Sequence, residues 1–244
     1  MDQFSQDFAS HWDELVGWQK RSAADKAFLL SLVRKYDCRR ILDVALGTGF
    51  HTIELMNEGL EVKALDISQS MIEVAKKNAA KASVQLDVVC TDWVDMNKAV
   101  QEKFDCIICL GNSLACEMDA NKRQISVQNW SDALTEDGVV IVDRRNYETL
   151  LAGEHYSAKN GQYFGETVRI GFEKVIEDET VFSYTFADGK TFSLQMFPIM
   201  DRQLRSMCLN AGLEAVEIYG DRQLSRKSND VAFYSYVFRK IRNS

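Results

Sequence analysis

The residue types best suited to bind a ligand are clustered in two short segments. An apolar run that begins at Ile41 contains Asp43 and ends in a turn with Gly47 and Gly49, and a second apolar run ends in Asp66. Small residues in a turn let backbone amides approach a ligand closely, and open α/β sheets bind ligands where their strands end. The pattern predicts a strand, a glycine loop and a helix, then a strand whose final carboxylate binds the hydroxyl groups of a ribose.

Three classes of ligand would suit such a loop. A dinucleotide site follows the pattern G-x-G-x-x-G, but Thr52 stands where the third glycine is needed. A nucleoside triphosphate loop carries a lysine after its last glycine, and no lysine follows Gly49. S-adenosylmethionine has no pyrophosphate, so the missing glycine and the acidic residues favour it. An ordinary turn between strand and helix, with an incidental acidic residue, stays the alternative.

Other candidate residues follow predicted strands further along the chain. Asp92 is expected to accept a hydrogen bond from the adenine amino group, while Trp93 either packs near the adenine ring or is a core aromatic residue. Asn112 is polar where the reacting atoms are expected, and the absence there of an Asn/Asp-Pro-Pro-aromatic motif argues against a nucleobase acceptor. The predicted cofactor contacts in the loop, at the strand ends and in the helix after the second strand are Asp43, Ala45, Gly47, Gly49, Asp66, Ile67, Met71, Asp92, Trp93 and Leu110.

Two adjacent arginines follow the fifth predicted strand of this acidic protein. A guanidinium group binds a carboxylate through two parallel hydrogen bonds. We therefore expect one of Arg144 and Arg145 to point inward and bind a substrate carboxylate, and the other to form a surface salt bridge. The alternative, in which both form surface salt bridges, stays open.

Composition and charge narrow the class of protein. The chain has 244 residues and a net charge of −7, which repels a polyanion, so no nucleic-acid partner is expected. The sequence carries neither a signal-peptide pattern nor an apolar run near the ~18 residues that span a bilayer. We therefore expect a cytoplasmic protein with free thiols and no membrane partner. Cys106 and Cys109 resemble a metal-binding pair, but residues three apart on a strand face opposite sides, so no metal is predicted.

Strand and helix patterns alternate over the first part of the chain and change at about residue 148. Strands joined through helices pair in parallel with right-handed crossovers. We therefore predict an α/β fold with a doubly wound, Rossmann-like sheet of seven strands, the last of them inserted antiparallel. A helix from Ser22 to about Tyr36 precedes the sheet, and the Asp188–Gly189 turn signal marks an antiparallel insert. The predicted units are a helical cap (1–36), a core (37–147 and 200–244) and the antiparallel β insert (148–199).

Four segments of the chain carry a resemblance to a known family. They are Ile41–His51, Thr91–Trp93, Phe104–Ser113 and Val142–Tyr147. Over nearly its whole length the chain resembles the glycine/sarcosine N-methyltransferase family of class I S-adenosylmethionine-dependent methyltransferases. The resemblance implies transfer of a methyl group from S-adenosylmethionine to the amine of a small amino acid such as glycine or sarcosine.

The resemblance also implies roles for individual residues. Arg21 would meet the cofactor carboxylate, Asn112 and Arg145 would be the catalytic residues that contact the substrate, with Arg145 holding its carboxylate, and the insert would be a lid. The chain departs from the family at Leu46, where the family usually has a small residue or cysteine. It departs again in Leu114–Glu117, where the family carries a histidine. The residues that match the family's cofactor contacts are Ala45, Asp66, Asp92, Trp93 and Leu110.

Two alternatives to this function are kept. A methyltransferase of the same fold could act on another small amine, an oxygen or a thiol, without a carboxylate anchor. A protein of a different class would bind S-adenosylmethionine without catalysis and release no S-adenosylhomocysteine. An NAD-dependent oxidoreductase is the weakest option. An oligomer is possible, and the sequence does not decide it.

Overall fold

The computed structural model describes residues 3–153, 167–224 and 231–241, without the side chains of residues 19–24. The helices are α1 (Gln6–Val16), α2 (Trp18–Lys35), α3 (Phe50–Asn57), α4 (Gln69–Lys81), α5 (Met96–Ala99), α6 (Ala120–Ala133), α7 (Tyr147–Leu151) and α8 (Asp201–Asn210). The strands are β1 (Arg40–Asp43), β2 (Glu61–Asp66), β3 (Asp87–Cys90), β4 (Phe104–Cys109), β5 (Leu134–Arg145), β6 (Arg169–Ile176), β7 (Glu179–Thr185), β8 (Thr191–Met196), β9 (Leu213–Gly220) and β10 (Phe233–Lys240). Short 3-10 helices cover Trp93–Asp95 and Ser113–Cys116.

Seven strands form one sheet in the order β3-β2-β1-β4-β5-β10-β9. The first five strands are parallel, because a helix joins each of them to the next and returns the chain to the same end of the sheet. β10 lies antiparallel between β5 and β9. The predicted seven-stranded sheet and its antiparallel last strand are therefore confirmed. The strand order reverses between β1 and β4, and open sheets bind ligands at the carboxyl ends beside such a reversal.

The central strands are buried on both faces by helices. Neighbouring residues of a strand point to opposite sides, so Ile41 packs with Phe28 of α2, whereas Leu42 belongs to the cluster of Trp130 of α6. Both strand residues are 0% exposed. The second cluster also contains Leu194 of β8, so the insert and the sheet share one continuous core.

Two helices joined at one glycine precede the sheet. Ser5 caps α1 by accepting a hydrogen bond from the amide of Phe8 (3.2 Å). Gly17, with a φ of 62°, ends α1 and immediately begins α2. The predicted helix start at Ser22 is therefore wrong. The left-handed glycine sets the break between the helices, and α2 already begins at Trp18.

The insert contains a separate antiparallel sheet of three strands in the order β6-β7-β8. The turn between β7 and β8 contains Gly189 with a φ of 87°, as the Asp188–Gly189 signal predicted. The division of the chain into three units stays a prediction, since residues 154–166 of the predicted insert lie outside the described residues. No helix in the described ranges is long and apolar enough to cross a membrane.

Polar contacts fasten the N-terminal segment to the insert. Gln3 exchanges two hydrogen bonds with the backbone of Gln195, at 2.9 and 2.8 Å. The imidazole of His11 lies 3.0 Å from the carboxylate of Asp188. In addition, Lys190 of the insert forms an ion pair of 2.8 Å with Asp7 in the first turn of α1. The residues before α1 and its first two turns are thus held against the insert.

Candidate active site

The carboxylate at the end of β2 holds the glycine loop in place. Gly47, with a φ of 54°, donates its backbone N–H to Oδ2 of Asp66 (2.8 Å). Ser68, the cap of α4, donates its backbone N–H to Oδ1 (2.9 Å). Carboxylate oxygens have more than one lone pair each, so these two bonds leave Asp66 able to accept hydrogen bonds from a ligand.

Asp43 lies behind the loop instead of in a cleft wall. Its oxygens accept hydrogen bonds from the amide of Ala45 (3.1 Å) and the hydroxyl of Thr52 (2.8 Å). Burial raises the pKa of Asp43 to about 6, against the lowering effect of these two bonds. Asp43 is 2% exposed and supports the loop from below. Its predicted direct contact with the cofactor stays a prediction.

Gly49 also serves packing and does not line the cleft. Its φ of 92° lies in the left-handed region, and a Cβ there would lie 3.1 Å from Cδ1 of Ile53 and 3.3 Å from Cβ of Ala75. Only glycine therefore lets the start of α3 pack this closely on α4. The predicted contact of Gly49 with a cofactor stays a prediction.

An open cleft of about 1110 Å³ lies above the loop, at the carboxyl ends of β1, β2, β3 and β4. The structure brings together eight of the eleven residues predicted to bind a cofactor. Arg21 belongs to α2, but its side chain lies outside the described residues. The predicted residues that line the cleft are Ala45, Gly47, Asp66, Ile67, Met71, Asp92, Trp93 and Leu110.

Trp93 is both a cleft residue and a core residue. Its indole N–H donates to the backbone oxygen of Val44, and its ring meets Trp130 edge to face with centroids 5.6 Å apart. Asp92 accepts a hydrogen bond from the amide of Val94 (3.1 Å) and so caps the short helix that carries Trp93. The two interpretations of Trp93 are therefore compatible, since the core fixes the ring in the cleft wall.

The N-terminal segment supplies a cleft wall that sequence reasoning missed. Phe4 and Trp12 line the cleft and meet edge to face, with centroids 5.1 Å apart. Phe8 faces away from the cleft and stacks on Phe192 of the insert at 4.7 Å. The spacing of these aromatic residues predicted a helix lying on the core, and that spacing is the same for a core face and for a cleft wall.

Charge in the cleft is predominantly negative. Asp66, Asp92 and Glu117 line it, and no lysine or arginine does so among the side chains that the structure describes. Cys116 also lines the cleft, and burial raises the pKa of its thiol to about 12. The cleft therefore suits a ligand with positive charge and offers no thiolate nucleophile at neutral pH.

Asn112 lies beside the cleft and is 2% exposed. Its side-chain amide donates to the hydroxyl of Tyr147 (2.8 Å) and to the sulfur of Met196 (3.1 Å). Its side-chain oxygen accepts the amide of Arg145 (2.9 Å). Asn112 therefore joins the end of β4 to the end of β5 and to the insert. Its predicted contact with a substrate stays a prediction.

The two neighbouring arginines have different environments. Arg144 is buried, pairs with Glu148 at 2.7 Å and also donates to the hydroxyl of Tyr236 (3.1 Å). Arg145 lies over the rings of Phe182 and Phe233, at 4.8 and 4.6 Å from their centroids, and forms no ion pair with any described residue. The salt-bridged arginine is thus buried and not on the surface, and Arg145 is the one whose guanidinium is left for a carboxylate.

Comparisons with a protein family, with related sequences and with solved structures each match this chain to methyltransferases. Residues 41–138 match the family described as "Methyltransferase domain". The chain is 32% identical over 240 residues to a glycine/sarcosine N-methyltransferase of Aphanothece halophytica, covering 98% of this chain and 90% of that one. It is 34% identical over 240 residues to a protein of the same name from Parasynechococcus marenigrum (strain WH8102), covering 98% and 84%. The solved structure of a S-adenosylmethionine-dependent methyltransferase from Clostridium acetobutylicum ATCC 824 has a TM-score of 0.77 at 21% identity and covers 96% of this chain and 98% of its own.

Proposed function

Because this chain belongs to the glycine/sarcosine N-methyltransferase family, we propose that it transfers the methyl group of S-adenosylmethionine to the amine of glycine or sarcosine. One observation carries the proposal. Asp66, the glycine loop and Trp93 face a single cleft at the point where the strand order reverses. This arrangement is the one expected of a nucleoside site in an open α/β sheet.

The residues of the cleft suit a positively charged nucleoside. Asp66 has lone pairs for the ribose hydroxyls, and Asp92 has them for an adenine amino group. Ile67, which is 45% exposed, and Trp93 offer apolar surface to the base. The lining carboxylates attract the positive sulfonium, and we assign the carboxylate of the cofactor to Arg21. When bound, S-adenosylmethionine supplies the electrophilic methyl group.

The acceptor carboxylate is assigned to Arg145. Its guanidinium lies over two phenylalanine rings and has no carboxylate partner in the described ranges. An arginine binds a carboxylate through two parallel hydrogen bonds, each charge-assisted. Asn112 accepts a hydrogen bond from the backbone N–H of Arg145, so Arg145 and the turn after β4 keep a fixed relative position. We assign to Asn112 the orientation of the amine.

Alignment is the main contribution that these residues make to the reaction. An amine attacks only in its neutral form, and the protein must receive or generate it. Burial raises the pKa of Tyr147 to about 12, as it does for Cys116, so neither group accepts the proton at neutral pH. Correct orientation alone is worth up to ~7–11 kcal/mol in intramolecular systems, and a reactive sulfonium requires no strong base.

An acceptor panel tests the proposal. Purified protein is incubated with S-adenosylmethionine and with glycine, sarcosine or the carboxylate-free methylamine, and the methylated products are identified by mass spectrometry. We expect methylation of glycine and sarcosine.

Arg145→Ala should lower kcat/KM for glycine at least tenfold while cofactor binding persists, since a hydrogen bond to a charged group contributes about 1.5–3 kcal/mol. The control is Arg202→Ala, an exposed arginine of α8. Unchanged kcat/KM in Arg145→Ala would remove Arg145 from the acceptor site.

A second candidate is methylation of a small amine that lacks a carboxylate. It is favoured by Glu117, whose carboxylate lines the cleft and accepts one backbone hydrogen bond, from Asp119 (2.8 Å). In that case methylamine or a larger amine is the better acceptor, and Glu117→Gln lowers its kcat/KM more than Arg145→Ala does. Binding of S-adenosylmethionine with no turnover of any amine would instead support the non-catalytic alternative. A cytoplasmic location and the absence of a nucleic-acid partner stay predictions.

A further inference from the structure

A buried arginine from the end of β9 bridges two carboxylates on different elements. One terminal N–H group of Arg222 donates to the carboxylate of Asp25 in α2, and the other donates to the carboxylate of Asp143 in β5. The three residues are 7%, 5% and 1% exposed. Asp143 lies in the segment Val142–Tyr147, whereas no sequence pattern pointed to the other two residues. The contact joins the N-terminal cap, the end of β5 and the turn after β9.

The backbone at this arginine is unusual. Asp221 and Arg222 are consecutive non-glycine residues with φ of 46° and 53°, in the left-handed region that such residues rarely adopt. The side chain of Asp221 holds the turn by accepting the amides of Ala232 (2.9 Å) and Phe233 (3.0 Å). Strained conformations persist where the surroundings fix them, and they are concentrated at functional sites. Here the strained turn directs a guanidinium into the protein.

The bridge reaches the acceptor side through Asp143. One oxygen of Asp143 binds Arg222, and the other accepts the backbone N–H of Asn112 at 2.7 Å. Asn112 itself has a φ of 62°, so its conformation needs support. Its side chain in turn holds the amide of Arg145. A chain of direct contacts therefore runs from Arg222 to both residues assigned to the acceptor.

We propose that Arg222 is a positioning residue of the acceptor site, which fixes Asn112 and Arg145 by holding the carboxylate of Asp143 in place. This inference rests on the proposed function for the identity of the acceptor, but not for the contacts themselves. Arginine suits the role because its planar group serves two carboxylates at once, which the ammonium of lysine does less well.

Removal of the guanidinium leaves two buried carboxylates without the cation that they share. Asp143 is faced by Arg222, by Asp25 across the bridge, by His51 next to the guanidinium (3.3 Å), and by the thiol of Cys109. The imidazole nitrogen accepts in this contact, since arginine has no acceptor. A buried charge that loses its partner is strongly unfavourable. Without Arg222, the carboxylate of Asp143 is therefore no longer held where it accepts the amide of Asn112.

The test is the kinetics of Arg222→Gln with saturating S-adenosylmethionine and glycine as acceptor. We expect kcat/KM for glycine to fall at least tenfold while the dissociation constant of S-adenosylmethionine is unchanged. The loss in Arg222→Gln/Asp143→Asn should be smaller than the product of the two single losses. Arg222→Lys keeps the charge and should restore part of the loss.

Arg144→Gln is the matched control, because Arg144 is an equally buried arginine of β5 that pairs with the half-exposed Glu148. It should lose stability with a smaller fall in kcat/KM for glycine. An unchanged kcat/KM in Arg222→Gln, or an equal fall in Arg144→Gln, would overturn the positioning role.

A second measurement does not require turnover. Hydrogen–deuterium exchange of the segment 110–116 should be faster in Arg222→Gln than in wild type and unchanged in Arg144→Gln. If wild type methylates no amine, the proposed function fails, yet faster exchange at Asn112 still supports the bridge. If the exchange rates are equal, the positioning inference fails even when glycine is methylated.

Discussion

Among single residues, Asp66 has the largest share in the proposed cofactor site, because it supports the loop and faces the ligand at once. Asp66→Asn keeps the shape but cannot accept the amides of both Gly47 and Ser68. We expect the dissociation constant of S-adenosylmethionine, measured by calorimetry, to rise at least tenfold. Glu61→Gln at the opposite end of β2 is the control and should leave it unchanged, since Glu61 is exposed. Equal affinity in Asp66→Asn would remove Asp66 from the cofactor site.

The buried carboxylate of Asp43 should make stability depend on pH. Its pKa of about 6 in the folded protein lies above the ordinary value of 3.8, so folding favours the protonated form. The associated stability is present below about pH 4 and is lost as the pH rises through about 6. Asp43→Asn has no such loss. The Tm of Asp43→Asn minus that of wild type should therefore increase from pH 4 to pH 8 in cofactor-free protein. The corresponding change in the free energy of unfolding is on the order of 1–3 kcal/mol.

This difference can be measured by thermal unfolding in a series of buffers. Other titrating groups are common to both proteins and cancel in the comparison. A difference in Tm that stays constant across the series would show that Asp43 does not ionise in this range.

Local sequence predicted residues that line the cleft from a strand end, but not those that pair across the fold. Asp66, Asp92 and Trp93 each follow an apolar run, so their place was predictable. Asp25 and Arg222 are 197 positions apart and pair only because the sheet brings α2 beside the end of β9. No spacing in the sequence records that pairing.

Among the elements, the packing of α3 on α4 depends on one glycine. Gly49→Ala and Gly59→Ala both place a side chain at a positive φ, but a Cβ at Gly59 meets nothing within 4 Å. The first variant also crowds Ile53 and Ala75. We expect both variants to lower Tm and Gly49→Ala to lower it further, with weaker cofactor binding in that variant alone. Equal losses in the two variants would contradict a packing role.

The seven-stranded sheet agrees with the sequence expectation, because the alternation of strand and helix patterns is clear over the first part of the chain. The start of α2 did not, because a serine suggested a cap while Gly17 set the break earlier. The packing of α1 on the insert was not predictable, since it depends on tertiary contacts such as that between His11 and Asp188.

On the scale of the whole molecule, the family resemblance is confirmed, and the shared core predicts a single cooperative unit. Leu194 of the insert is 1% exposed within the cluster that covers the sheet. Leu194→Ala should cost about 2–5 kcal/mol, with Tm falling by roughly 2–4 °C per kcal/mol. Calorimetry should show one transition that moves as a whole. Ile176→Ala, at a site 44% exposed, should have little effect. Two separate transitions would mean that insert and sheet unfold independently.

α1 is a wall of the cleft and is also tied to the insert, so we expect the contacts of Gln3, Asp7 and His11 to slow the exchange of a bound nucleoside. Release of the demethylated cofactor, and not transfer of the methyl group, should then limit the rate of turnover. Rapid-quench experiments should show a burst of methylated product in the first cycle, followed by a slower steady rate. Cutting the tie with Lys190→Ala should raise that steady rate and shorten the residence of S-adenosylhomocysteine.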